Sequence, residues 1–236
     1  AQKHGGSAAD VRFADGRVRL PDGTTTAFAD LVQAAYMARV QLWSDGFYAT
    51  PGLSWDREKM QGNPFFYFAY GAAMSEVVVD TLTGESRVLA THLLYDAGTS
   101  LNPAVDIGQV EGAFIQGMGW LTMEELVWHP QTGLLTTHAP STYKIPCAND
   151  APLEFVTRLF DAPNPADTIH RSKAVGEPPL LLPFAVFLAI RDAVSAVGGH
   201  RVDPPLRAPA TAEAILSAIG AVNVAAGAAA ADSSPR

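Results

Sequence analysis

The segment DIGQVEGAFIQGMGWLTMEEL, residues 106–126, constrains the fold more than any other stretch. Ile107, Val110, Phe114, Met118 and Leu121 recur three or four residues apart, the spacing of one helix face, so the run predicts a buried helix. Gly108, Gly112, Gly117 and Gly119 interrupt it, each costing up to about 1 kcal/mol relative to alanine inside a helix. Such a helix persists where something approaches its bare positions, either another backbone packed closely or a ligand. A glycine-rich helix entry also exposes N–H groups suited to an anion. The residues alone leave both readings open.

Turn chemistry divides the rest of the chain. VRFADGRVRLPDG reads as a small hairpin around one Asp-Gly, its second strand ending at another, and FADLVQAAYMARVQL as a helix packing Phe28, Leu31, Val32, Ala35, Tyr36 and Val40 on one face. Two β-rich runs flank DTLTGES, whose Gly84 supplies the positive φ of a tight hairpin. LVWHPQTGLLTTH repeats the device around Gly133, and LEFVTRLFD predicts one more strand. PLLLPFAVFLAIRDAVSAVGG predicts an apolar helix buried on most sides, with prolines near its start and Gly198-Gly199 at its stop. TAEAILSAIG predicts a short last helix with Thr211 as N-cap. Residues 50–68 lack periodicity and read as a long ordered loop. Paired strands with several packed helices, without regular alternation, define an α+β class. One folded portion over 1–220 and a flexible, low-complexity tail over 221–236 are expected.

Composition excludes several functions. Acidic residues outnumber basic ones, 24 to 16, giving a net charge of -8, so nucleic acid is not an expected partner. The single cysteine, Cys147, excludes an internal disulfide and cannot by itself hold an iron–sulfur cluster or structural zinc. His4, His92, His129, His138, His170 and His200 are scattered without the spacing of a helical metal site, so no metal ligand is assigned. No glycine group forms a P-loop or a dinucleotide fingerprint. PPLLLPFAVFLAI is short for a membrane span and broken by Pro183, and a cytoplasmic protein without membrane contact is expected.

Two places hold candidate chemistry. Glu177 stands between Gly176 and the pair Pro178-Pro179, which predicts an extended residue beside a helix N-terminus. It is either a cap stabilised by the helix dipole or a general base held by a stiff backbone, with Gly176 leaving room for a bulky group. Gln109 follows Gly108 at the expected helix entry, where its amide can donate and accept; it is otherwise an ordinary surface or capping residue. Glu111, Glu124 and Glu125 read as a solvated face.

Four segments, GFYATPGL (46–53), DAGTSLNPAVDIGQVEGAFIQGMGWLTMEEL (96–126), PSTYKIP (140–146) and SKAVGEPP (172–179), resemble in order and spacing the carboxy-terminal part of the molybdenum-binding region in the xanthine dehydrogenase/oxidase group of the molybdenum hydroxylase family. The resemblance spans about residues 28–215, and KAVGEPP and PSTYKIP look like the purine-oxidising members rather than the aldehyde oxidases. It implies the fold of the aldehyde oxidase/xanthine dehydrogenase molybdopterin-binding domain. Glu177 matches the family's active-site glutamate, a general base that deprotonates the attacking oxygen. Gln109 matches a glutamine contacting molybdopterin; Gly108, Gly176 and Val175 follow by adjacency. The resemblance further implies a molybdenum–molybdopterin cofactor only partly bound by this chain, with [2Fe-2S] clusters, FAD and the upstream substrate-orienting segments elsewhere in a longer, homodimeric enzyme hydroxylating hypoxanthine and xanthine. A related enzyme acting on aldehydes or N-heterocycles, and a noncatalytic scaffold of the same fold, are the alternatives.

Overall fold

The computed structural model describes residues 1 and 3–232, and the chain divides into two units, Ala1–Gly52 and Leu53–Arg236. In the first, β1 (Arg12–Ala14), β2 (Arg17–Arg19) and β3 (Thr25–Ala27) form an antiparallel sheet in that order. Asp15 and Gly16 both take positive φ, 49° and 69°, the two-residue turn whose twist matches a hairpin. Val18, fully buried, centres this unit. Helix α1 (Phe28–Met37) follows as predicted, but its apolar face is not buried: no α1 residue is, and Phe28 meets Phe13 edge-on at 6.2 Å while half exposed. The three-stranded sheet is too small to cover that face. Positive φ at Arg39 stops the run, leaving Val40 outside the helix.

The second unit opens with a feature that periodicity missed. Within the expected loop, β4 (Ser54–Asp56) and β5 (Gln61–Asn63) form a hairpin, and a Cβ at Gly62 would lie 2.3 Å from the Ser54 carbonyl oxygen. Three-residue strands are too short to show alternation. The predicted hairpin around Gly84 is the backbone of this unit: β6 (Gly71–Val79) pairs antiparallel with β7 (Ser86–Tyr95), and Gly84 has φ 76°. A register shift between Glu76 and Val77 inserts Leu89 as an extra residue, so the buried positions of β7 change parity from Val88 to Thr91, Leu93 and Tyr95. The Gly133 segment is reduced to turn hydrogen bonds and one isolated bridge, Trp128 to Leu135.

Helix α2 (Pro103–Thr122) starts before the glycine-rich run, because Asn102 caps it by accepting from the Val105 N–H and Pro103 fits the first helical position. β8 (Glu154–Leu159) then pairs parallel with β7. A parallel neighbour needs a crossover, and α2 supplies it, with Phe114 against Phe155 at 5.3 Å. Two antiparallel sheets, one mixed sheet and packed helices confirm the α+β class.

Residues Pro178–Leu181 form a 3₁₀ turn ahead of α3 (Phe184–Ala196). Expected burial on most sides of α3 narrows to the stripe Val186, Ile190 and Val194, which joins Val110, Phe114, Met118, Leu93 and Tyr95 in the core. By length and composition the run Pro178–Ala196 could cross a membrane, with mean hydropathy 1.6, yet that stripe is committed to this core. Thr211 caps α4 (Ala212–Asp232) by accepting from the Ala214 N–H, as predicted. Residues 221–232 extend this helix beyond its expected end, consistent with the high helix propensity of alanine; residues 233–236 lie outside the described ones. A cavity of about 690 Å³ lies at the β6–β7 hairpin tip, between Glu85, Arg87, Met118 and Ile190. That tip is roughly 30 Å along the strands from Tyr95.

Candidate functional site

The predicted residues converge where the chain preceding α3 crosses α2. Glu177 is not extended: its φ of −99° and ψ of −41° are in the right-handed helical region that a following proline disfavours. The 3₁₀ turn explains this, since the Glu177 carbonyl must accept from the Leu180 N–H, at 3.0 Å. Pro178 and Pro179 fill the turn's first positions, where the missing N–H groups cost nothing. The Glu177 side chain makes no cap hydrogen bond, and it is exposed. A dipole cap therefore does not describe it: the turn has four residues and α3 begins only at Phe184.

Gln109 and Gly108 are also displaced from their expected place. They lie in the second turn of α2, inside its hydrogen-bonded ladder, so the glycine offers no free N–H groups to an anion. Both are exposed, and a Cβ at Gly176 would lie 3.9 Å from Gln109 Oε1. Gly176, Glu177, Gly108 and Gln109 thus share one neighbourhood, while Val175 packs against the core behind it.

The four helical glycines divide by cause. A Cβ at Gly117 would stand 2.5 Å from the Leu180 carbonyl oxygen and 2.6 Å from Pro183, so this glycine admits the 3₁₀ turn that carries Glu177. Gly119 is pressed by Pro146 and the Glu124 carboxylate. Gly108 and Gly112 face open space, beside Gln109 on the exposed side of α2. Packing accounts for two, and an open surface remains at the other two.

Upstream of Glu177 the chain is tied to the end of β7. Ser172 bridges Gly98, the Lys173 N–H donates to the Ala97 carbonyl at 2.8 Å, and Lys173 Nζ meets Asp96 Oδ2 at 2.5 Å with only 5% of the Lys173 side chain exposed. Lys173 also lies 5.5 Å from the Tyr70 ring centre. Sequence reasoning passed over Lys173, Asp96 and the tyrosines; a lysine in SKAVGE was a signal, but its partner is distant in sequence. Glu124, read as solvated, instead accepts from the Tyr143 hydroxyl at 2.5 Å, which holds that phenol above its ordinary pKa. Glu125 lies past the end of α2 and is exposed, as is Cys147.

An exposed carboxylate on a 3₁₀ turn, an exposed amide nearby and open space at Gly108 and Gly112 lie together on one surface of this unit. The chain belongs to the molybdopterin cofactor-binding domain family, which matches residues 1–152. Xanthine dehydrogenase of Oryza sativa subsp. japonica is 47% identical over 205 residues, 83% of this chain and 15% of that protein. Xanthine dehydrogenase/oxidase of Rattus norvegicus is 51% identical over 193 residues, 79% of this chain and 14% of that protein. The chain therefore spans about one seventh of these relatives. Among solved structures, the aldehyde oxidoreductase of Desulfovibrio gigas superposes with a TM-score of 0.62 at 27% identity, covering 86% of this chain and 21% of that one. Quinoline 2-oxidoreductase of Pseudomonas putida 86 gives 0.58 at 27%, covering 91% and 26%. The open positions at Gly108 and Gly112 and the exposed Gln109 amide leave room for a group of the size and polarity of a pterin.

Proposed function

We propose that this chain is the carboxy-terminal part of the molybdenum-binding region of a xanthine dehydrogenase, and that Glu177 is its general base in the hydroxylation of hypoxanthine and xanthine to urate. The observation that carries the reading is the exposed Glu177 carboxylate, without a cap hydrogen bond, on a turn packed against α2 beside Gln109. When bound, molybdenum–molybdopterin supplies the two-electron redox chemistry. Glu177 accepts a proton at its carboxylate from the oxygen that attacks the purine carbon, a contribution of typically 10²- to 10⁴-fold. Gln109 would hold the cofactor through its amide, and Gly108, Gly112 and Gly176 would leave the surface free for it. Val175, packed on the core, anchors the segment from behind. The rest of the molybdenum region, the [2Fe-2S] clusters and FAD belong to the remainder of a cytoplasmic, homodimeric enzyme.

In the complete enzyme, Glu177→Gln should lower the rate of enzyme reduction by xanthine at least a hundredfold while molybdenum content stays at the wild-type level. Wild-type turnover in that variant would refute the role. Profiling the complete enzyme against xanthine, aromatic aldehydes and quinoline separates the purine reading from a related hydroxylase, and absence of molybdenum from the natural assembly would favour a noncatalytic scaffold.

A further inference from the structure

Glu177 is fixed on one side by the 3₁₀ turn seated on Gly117. On the other side, two residues before Gly176, both backbone groups of Ala174 are held by phenols. The Tyr95 hydroxyl donates to the Ala174 carbonyl at 2.6 Å, and the Ala174 N–H donates to the Tyr67 hydroxyl at 2.9 Å. A backbone segment outside any sheet commonly meets water at these groups; here it is locked by side chains from two other places in the chain. Tyr95 is 1% exposed and sits in the core, so its ring cannot shift without disturbing Leu93, Phe114 and their neighbours. Burial, with Tyr67 and Asp96 adding to it, pushes the Tyr95 phenol far above its ordinary pKa, so it remains a donor throughout the working range. Tyr67, half-buried, completes the arrangement from the segment entering β6.

We infer that Tyr95 and Tyr67 are positioning residues for the reaction: by holding Ala174 at both its carbonyl and its N–H, they set where the strap delivers the Glu177 carboxylate. The inference rests on the general-base reading of Glu177. A proton acceptor must be placed within hydrogen-bond reach of the proton it takes, and a displacement of 1 Å can cost as much as about 10²-fold. Loss of either phenol frees the strap between Lys173 and Gly176 while leaving the Lys173–Asp96 pair in place. The placement of Glu177 is then altered, and the surface presented by Gln109 and α2 is not.

The test is made in the complete, cofactor-loaded enzyme with the substrate that it turns over fastest. Tyr95→Phe and Tyr67→Phe should each lower kcat by about tenfold, with KM within about twofold of wild type and molybdenum content unchanged. Combined with Glu177→Asp, which shortens the reach of the base, the losses should fail to multiply, because both act on the same placement. Wild-type kcat in both phenylalanine variants overturns the inference, as do losses that multiply with Glu177→Asp or that follow molybdenum content. Should Tyr95→Phe fail to accumulate, Tyr67→Phe alone decides by the same readings. The Glu177→Gln enzyme separates the two levels: if it turns over normally, the base assignment has failed and the inference goes with it. If it is inactive while both phenylalanine variants are normal, only the role of the tyrosines is lost.

Discussion

The carboxylate at Glu177 draws its meaning from residues that it does not touch. Lys173 and Asp96 form a nearly dry ion pair, 5% and 17% exposed, at the start of the segment that leads to Glu177. Removing one partner leaves the other charge buried, so Lys173→Met should destabilise the protein by about 3–5 kcal/mol in urea unfolding. In the amino-terminal unit, Asp22 accepts from the Thr24 hydroxyl and N–H and from His4, which lowers its pKa to about 2. Because the folded value lies below the ordinary 3.8, this contribution is complete above that pH and is lost as pH falls toward about 2. The Thr24 amide resonance should therefore shift in an NMR titration between about pH 4 and 2, and an unchanged resonance would contradict the contact. These side chains are ordinary by composition; their partners make them distinctive.

At the scale of elements, α2 organises the site. Gly117 admits the turn carrying Glu177, and its Cβ would meet the Leu180 carbonyl oxygen and the rigid Pro183 ring, neither of which can swing aside. Gly117→Ala should cost about 1–3 kcal/mol in unfolding despite better helix propensity, and should also reduce turnover of the complete enzyme. Gly112 faces open space, so Gly112→Ala should stabilise the isolated chain by up to about 1 kcal/mol. If that surface carries the cofactor, the same change should lower the molybdenum content of the complete enzyme, a divergence visible by comparing calorimetry with metal analysis. The 3.6-residue period exposed α2 at once in the sequence. Its start did not show, because Asn102 and Pro103 precede the apolar pattern, and the apparent entry at Gly108 was an interior turn.

For the whole molecule, the apolar surface left uncovered is as informative as the core. Met74 and Leu94 point out from the β6–β7–β8 sheet, Trp120 from α2, and Phe47 in the amino-terminal unit is 93% exposed. The chain spans about 15% of the rice relative, and a cofactor shared with the remaining length would find only part of its contacts here. Purified by itself, the chain should retain no molybdenum and show no xanthine turnover; stoichiometric metal by mass spectrometry would contradict this. By itself, the sequence determined the hairpins at Asp15-Gly16 and Gly84, helices α1 to α4 in outline, the α+β class and the motif order that pointed to the family. Those features follow from local φ preferences and periodicities. Only tertiary structure decided that β8 runs parallel to β7 and that two of the four glycines of α2 answer to packing. It also brought Tyr95 and Tyr67 onto Ala174 across 79 and 107 residues of chain. The reason is physical: a turn is specified by residues adjacent in sequence, whereas a contact between distant residues is selected by packing the whole core, to which each local segment contributes only one side.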